Sequence, residues 1–135
     1  MDICLKLKED YLKEIKKIED RYKKNSKRLA VEEAKDEAIL EDIKVNIIDI
    51  FLKMFDISFN KVCSNKGNEY DKMEKLKEEY FKFFDKISTP WRVKMTKDKE
   101  HNMMEEYYKE EIKIQVADDM KNRFIEHYNK LCKEE

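Results

Sequence analysis

Apolar residues recur every three or four positions along most of this chain, which is the spacing of one face of an α-helix. In residues 2–24 they form a narrow seam, typical of a helix that touches one neighbour. The members of this seam are Cys4, Tyr11, Ile15, Ile18 and Tyr22. Residues 39–62 are apolar around most of the helix circumference, which predicts a central helix or part of a dimer interface. Similar helical patterns cover residues 69–87 and 103–133.

Polar and conformationally special residues separate these four predicted helices. Asn25 and Ser26 are a weak signal for the first break. Gly67 followed by Asn68 is the clearest signal, because glycine accepts a positive φ after a helix and asparagine can cap the next helix. Pro90 predicts that the third helix ends just before it, because proline cannot donate a backbone hydrogen bond.

Residues 91–99 follow a different pattern from the helices on either side. Apolar and polar residues alternate there, with the period of a short strand. The alternating pairs are Trp91-Arg92, Val93-Lys94 and Met95-Thr96. We therefore expect a short irregular or extended segment near 90–100.

Composition supports an all-α fold. Charged residues make up 45% of the chain, which has one glycine and one proline and so lacks the turn residues that a sheet needs at its hairpins. A chain of 135 residues fits one domain with a substantial core. We expect residues 1–135 to form a single helical bundle of about four main helices.

Charge is balanced overall but not along the chain. The 30 basic and 31 acidic residues nearly cancel, so a general attraction to nucleic acid is not expected. The segments 1–28 and 61–100 are net basic, whereas 29–60 and 101–135 are net acidic. Antiparallel helices of opposite net charge would favour one arrangement of neighbours over others.

The chain has the features of a cytoplasmic protein. Its three cysteines are far apart and odd in number, which suits a reducing compartment better than a disulfide framework. The first residues lack the basic and apolar regions of a signal peptide. Charged residues interrupt the most apolar stretch, 39–59, so we do not expect a membrane span.

The sequence contains none of the short motifs that indicate catalysis or metal binding. Glu-x-x-His, His-Glu-x-x-His, glycine-rich phosphate loops and nucleophile elbows are all absent. We therefore expect a non-enzymatic protein with no cofactor and no metal.

Two features are candidates for partner binding. The first is a tryptophan followed by basic residues, which could anchor a protein interface or contact phosphates. Its members are Trp91, Arg92, Lys94, Lys97 and Lys99. The second is Glu110, a carboxylate on the inner face of the fourth helix, which needs a lysine or tyrosine partner or a place at a binding surface. Burial of the tryptophan and simple ion pairing are the structural alternatives.

These observations favour an interaction protein: an adaptor, inhibitor or regulatory subunit that presents helical surface to a protein partner or to a second copy of itself. The lysine-, isoleucine- and asparagine-rich composition fits an AT-rich microbial or phage genome, and a phage or mobile-element source would favour an inhibitor. The alternative is a nucleic-acid-binding regulator that uses the basic segments 23–28 and 92–99. A third hypothesis, an enzyme or small-ligand binder, requires a polar cavity near Glu110 with Tyr107 or Tyr128.

Overall fold

The computed structural model describes residues 2–64 and 66–133, and within them it contains four α-helices and no strand. The helices are α1 (Ile3–Val31), α2 (Lys35–Cys63), α3 (Glu69–Glu100) and α4 (Met104–Lys133). Because the connections are short, consecutive helices run antiparallel. Each of the four helices contacts the other three. This confirms the predicted all-α bundle of four helices. Among the described residues, none of the helices combines the length and apolar character needed to cross a membrane.

The four helices are nearly equal in length. They contain 29, 29, 32 and 30 residues. The sequence patterns over 2–24, 69–87 and 103–133 predicted a fourth helix longer than the first and the third. It does not stand out, because α1 and α3 extend well beyond their predicted ends and match it.

Side-chain caps begin α1 and α3, whereas α2 begins after Ala34 without one. The Asp2 side chain accepts a hydrogen bond from the Leu5 backbone N–H. Asn68 caps α3, as predicted, by accepting from the N–H groups of Tyr70 and Asp71. Gly67 before it has a φ of 153°, a conformation that other residues rarely adopt.

The predicted break at Asn25 and Ser26 is wrong, because α1 continues through both residues to Val31. The Ser26 hydroxyl donates to the carboxylate of Asp42 on α2, at 2.5 Å, so its polar group is satisfied within the bundle. The chain turns instead at Glu33, which has a positive φ of 63°. A glutamate carries no sequence signal for that conformation.

The predicted extended segment at 91–99 is also wrong, because α3 runs through Pro90 to Glu100. The buried and partly buried positions in this half of α3 keep a helical spacing of three to four residues. They are Phe84, Ile87, Ser88, Trp91, Met95 and Asp98. Val93, which an alternating strand would place beside Trp91 and Met95, is 51% exposed. The free energy gained by burying a continuous helical face therefore exceeds the cost of the one backbone hydrogen bond that Pro90 cannot donate.

A cluster of aromatic rings from all four helices forms the centre of the core. Its fully buried members are Tyr11, Phe51, Phe55, Tyr80 and Phe124. Ring centroids of Tyr11 lie 5.3 Å from Phe55 and 5.4 Å from Phe124. The Tyr11 hydroxyl donates to the Met120 carbonyl oxygen at 3.2 Å and accepts from the Tyr80 hydroxyl, with 2.7 Å between the two oxygens. Both buried hydroxyls are therefore satisfied.

A carboxylate pair lies between α1 and α2. Glu19 on α1 faces Asp49 on α2, and its Oε2 atom is buried. Burial and the neighbouring Asp49 carboxylate raise the pKa of Glu19, although Lys23, at 3.3 Å, acts in the opposite direction. The folded protein therefore holds a proton at this site more tightly than the unfolded chain does.

The two core tyrosines should differ in their response to loss of the hydroxyl. Tyr80→Phe leaves the Tyr11 hydroxyl bonded to Met120, so we expect a cost of about 1 kcal/mol or less. Tyr11→Phe leaves the Tyr80 hydroxyl buried without an acceptor, and we expect it to cost about 2 kcal/mol. Urea unfolding of both variants measures the difference. Equal costs, or the reverse order, would contradict this hydrogen-bond arrangement.

Glu19→Gln should stabilise the protein at neutral pH, because it removes the repulsion between the two carboxylates. In the wild type, the pKa of Glu19 is higher in the folded protein than in the unfolded chain. The wild type therefore gains stability as pH falls through the folded-state pKa, and this gain is complete below the ordinary glutamate pKa of 4.5. The difference in melting temperature between variant and wild type should thus shrink as pH falls from 7 to about 4.5. Glu9→Gln, on the exposed side of the same helix, is the control and should show no such trend.

Candidate functional site

A buried carboxylate lies between α3 and α4. Glu110 on α4 is 3% exposed. Its Oε1 atom accepts a hydrogen bond from Lys113 at 3.1 Å and lies 3.5 Å from the Nζ atom of Lys94 on α3. Its Oε2 atom is buried and has no hydrogen-bond partner. The expectation that Glu110 would pair with lysine agrees with this geometry.

Lys94 contacts three carboxylates in this charged cluster. Its Nζ atom donates to Asp98 at 3.0 Å and lies 3.7 Å from Glu106. Asp98 itself is 6% exposed. The neighbouring carboxylates, Asp98 first, raise the pKa of Lys94. Three carboxylates therefore surround the Lys94 ammonium group. They neutralise its positive charge, which the sequence had suggested for binding phosphates.

The other predicted partner-binding residues do not form one surface. Trp91 is partly buried and packs edge-on against Phe51, with 6.2 Å between ring centroids, so most of its surface is already used within the core. Arg92 points to Asp118, at 3.7 Å. Lys97 and Lys99 are exposed in the last turn of α3, where positive charge is favourable next to the helix C-terminus.

The small-ligand hypothesis required Tyr107 or Tyr128 beside Glu110, and the structure separates Tyr128 from it. Tyr128 lies on the same helix but about 27 Å further along, at 1.5 Å per residue. It contacts Phe124 and the Lys77 ammonium group instead. Tyr107 is partly buried and contacts the ring of Tyr108 at 5.7 Å.

The basic segments 23–28 and 92–99 are at the ends of α1 and α3, which the antiparallel arrangement brings to the same end of the bundle. However, α1 packs mainly on α2, and α3 packs mainly on α4, so the two segments lie on different sides. Several of their cations are already paired, including Lys23 with Glu19 and Arg28 with Glu32. This arrangement does not support one continuous phosphate-binding face.

An open apolar groove lies where α2 and α4 begin. Its cavity of about 210 Å³ is lined by Asp36, Ile39, Leu40, Glu105, Tyr108 and Lys109. Ile39 is 48% exposed and Tyr108 is 53% exposed, and Met104, one turn before Tyr108, is 40% exposed. We call this part of the molecule the groove end. Exposed apolar side chains from two helices face one shared opening here.

The rim of the groove carries negative charge. Asp36 and Glu105 line it directly, and its one lining cation, Lys109, is shared between Glu105 at 3.9 Å and Glu106 at 3.4 Å. Glu106 also lies near Lys94, so the groove is continuous with the charged cluster around Glu110. The groove end therefore combines an apolar centre with an acidic border.

Sequence reasoning missed the groove. In the sequence, neither Ile39 nor Tyr108 stood out as a candidate for binding. The available signal was apolar residues outside the main face of each helix, at Ile39, Met104 and Tyr108. That signal alone does not say that Ile39 and Tyr108 line one groove, because Ile39 belongs to α2 and Tyr108 to α4.

Comparison with known proteins adds no functional information: no protein-family model, no curated protein and no solved structure matches this chain.

Replacing Glu110 should be tolerated better than removing its cations. Glu110→Met removes a buried carboxylate whose second oxygen is unsatisfied, and Lys94 keeps Asp98 and Glu106, so we expect a change of less than about 1 kcal/mol in unfolding free energy. The double variant Lys94→Met, Lys113→Met leaves the buried carboxylate unpaired and should lower the unfolding free energy more than Glu110→Met does. Lys97→Met with Lys99→Met, the same charge change on exposed residues, is the control. The prediction is contradicted if denaturant unfolding shows that Glu110→Met lowers the unfolding free energy more than the lysine variants do.

Proposed function

We propose that this protein is a non-enzymatic interaction protein, an adaptor, inhibitor or regulatory subunit, which binds a protein partner at the groove end. The observation that carries the proposal is the groove between α2 and α4. Of its apolar lining residues, Ile39 and Tyr108 are exposed and Leu40 is partly exposed, and all three lie outside the hydrophobic core cluster. Exposed apolar patches with a polar border are typical of protein-binding surfaces.

The chemistry of the groove indicates what kind of partner it would accept. The cavity is large enough for one or two apolar side chains, which suits an amphipathic helix that inserts an anchor residue. The acidic border would favour basic residues on either side of that anchor. We therefore infer that the partner presents an apolar residue flanked by lysine or arginine, rather than the acidic surface that the basic segment 92–99 would have required.

A cytoplasmic location fits this proposal. The odd number and wide spacing of the three cysteines along the chain support this location, because such cysteines are typical of a reducing compartment.

Charge placed in the groove should weaken partner binding without unfolding the protein. Ile39→Glu and Tyr108→Glu put a carboxylate into an apolar and already acidic opening. We expect each to weaken binding at least about tenfold, as the loss of an interface anchor does. Ile57→Glu is the matched control, because Ile57 is 51% exposed on α2 but lies outside the groove lining.

The measurement is affinity capture from a nuclease-treated native lysate, followed by titration of the captured protein against each variant. The proposal is supported by a stoichiometric partner whose binding survives Ile57→Glu and is lost in both groove variants. It is overturned if the groove variants bind that partner normally. Two other results also overturn it. In the first, nuclease releases all bound material and reversal of charge at Lys94 and Lys97 prevents capture. In the second, light scattering shows a homo-oligomer that the groove variants dissociate.

A further inference from the structure

A strongly basic surface lies on the outer side of α1, away from the core. Residues 13–28 of this helix, all of which the structure describes, include nine exposed side chains, and every one of them is charged. Eight are basic, and Asp20 is the single acid among them. We call this surface the basic ridge. Its basic members are Lys13, Lys16, Lys17, Arg21, Lys23, Lys24, Lys27 and Arg28.

The other two acids in this part of α1 do not cancel the charge of the ridge. Glu14 is directed towards α4, where it contacts Arg123 at 3.4 Å and His127 at 3.2 Å. Glu19 is paired with Lys23 at 3.3 Å, and one of its oxygens is buried. Both carboxylates therefore face neighbouring groups within the bundle rather than the solvent in front of the ridge.

Most cations of the ridge are available to an external anion. Lys23 and Arg28 form ion pairs, with Glu19 and Glu32 respectively. The other six ridge cations form no ion pair with any residue that the structure describes. They can contact an anion without first breaking an internal pair, unlike Lys94, which three carboxylates surround.

The helix arranges these cations in an extended line. Lys13, Lys17 and Lys24 are four and seven residues apart, so they lie on one side of α1. At 1.5 Å per residue, the whole ridge is about 22 Å long. Two shallow openings follow it, and Lys17 lines both. Lys130 from α4 adds a cation to the first opening, and Arg21 adds one to the second.

The composition of the ridge indicates which kind of anionic partner it fits. A protein interface relies on apolar or aromatic anchors, and a helix on a membrane surface inserts an apolar face. Proteins that bind single strands stack the bases on aromatic side chains. The exposed positions of the ridge provide none of these groups. Lysine and arginine alone are sufficient to bind the phosphate backbone of a duplex.

We propose that the basic ridge binds duplex DNA through its phosphate backbone, without reading the base sequence. One strand of duplex DNA carries a phosphate about every 3.4 Å along the axis, so the ridge is long enough to face about six phosphates. Duplex RNA is recognised largely through its 2′-hydroxyl groups. The one hydroxyl side chain in this part of α1, Ser26, already donates to Asp42, so DNA is the better fit.

This surface differs from the pair of segments that the sequence suggested for nucleic acid. It uses no residue of 92–99, and it extends the segment 23–28 along α1 as far as Lys13. It also shares no residue with the lining of the groove. Binding of DNA at the ridge and binding of a protein at the groove end are therefore separate proposals, and either can fail without the other.

The test measures binding of tag-free full-length protein to a short fluorescent DNA duplex by anisotropy. We expect micromolar affinity at low salt. About five phosphate contacts predict that the logarithm of the affinity falls with the logarithm of the salt concentration with a slope of about −4.5. The affinity should thus drop roughly 500-fold between about 50 and 200 mM salt.

Two pairs of lysine substitutions locate the site. Lys17→Gln with Lys24→Gln removes two contacts, and it should weaken binding about tenfold and make the salt slope shallower by about 2. Lys97→Gln with Lys99→Gln is the matched control, with the same charge change on exposed lysines of α3, and it should bind DNA normally. Asp20→Asn should tighten binding, because it removes the exposed acid of the ridge.

The proposal is overturned if the wild type does not bind the duplex at low salt, if salt does not weaken binding, or if the two lysine pairs have equal effects. It is also overturned if single-stranded DNA, duplex RNA or vesicles of phosphatidylserine and phosphatidylcholine bind more tightly than duplex DNA. The groove variant Ile39→Glu should bind DNA as the wild type does. Circular dichroism distinguishes a lost contact from a lost fold in each variant.

Discussion

The hydroxyl contact between Tyr11 and Tyr80, inside a cluster of aromatic rings, is the constraint on which the helix register depends. A buried hydroxyl without a partner is costly, and the Tyr11 hydroxyl must reach both Tyr80 on α3 and the Met120 carbonyl on α4. Apolar contacts alone tolerate some sliding of one helix along another. A hydrogen bond does not, because its strength falls steeply with distance and angle. Three of the four helices are thereby aligned at one level.

This alignment decides what meets at the two ends of the bundle. With helices of nearly equal length in register, the starts of α2 and α4 lie side by side and place Ile39 and Tyr108 around one groove. The opposite end brings Cys4 next to Cys63 and Glu69. The same core thus supports two ends of very different chemistry: an apolar opening with an acidic border, and a cluster of thiols and carboxylates.

Ion pairs between helices favour this arrangement of neighbouring helices over other arrangements. Lys94 on α3 reaches Glu110 on α4, and Glu14 on α1 contacts both Arg123, at 3.4 Å, and His127, at 3.2 Å, on α4. The exposed pairs contribute little each to stability. The pair of Lys94 with Glu110 joins a net basic to a net acidic segment, as the alternating charge of the chain suggested, whereas in the Glu14 pairs the acid lies on the net basic segment.

The sequence by itself determined the fold class, the approximate helices, the cap at Asn68 and the need of Glu110 for a cation, because helical periodicity, capping and the cost of a buried charge act locally. Local signals misjudged Ser26 and Pro90, where contacts with neighbouring helices kept α1 and α3 continuous. Only the tertiary structure decided that Ile39 faces Tyr108, that Cys4 meets Cys63 and that Trp91 is turned into the core. Those neighbours belong to different helices, and their meeting depends on packing and register, which no local pattern encodes.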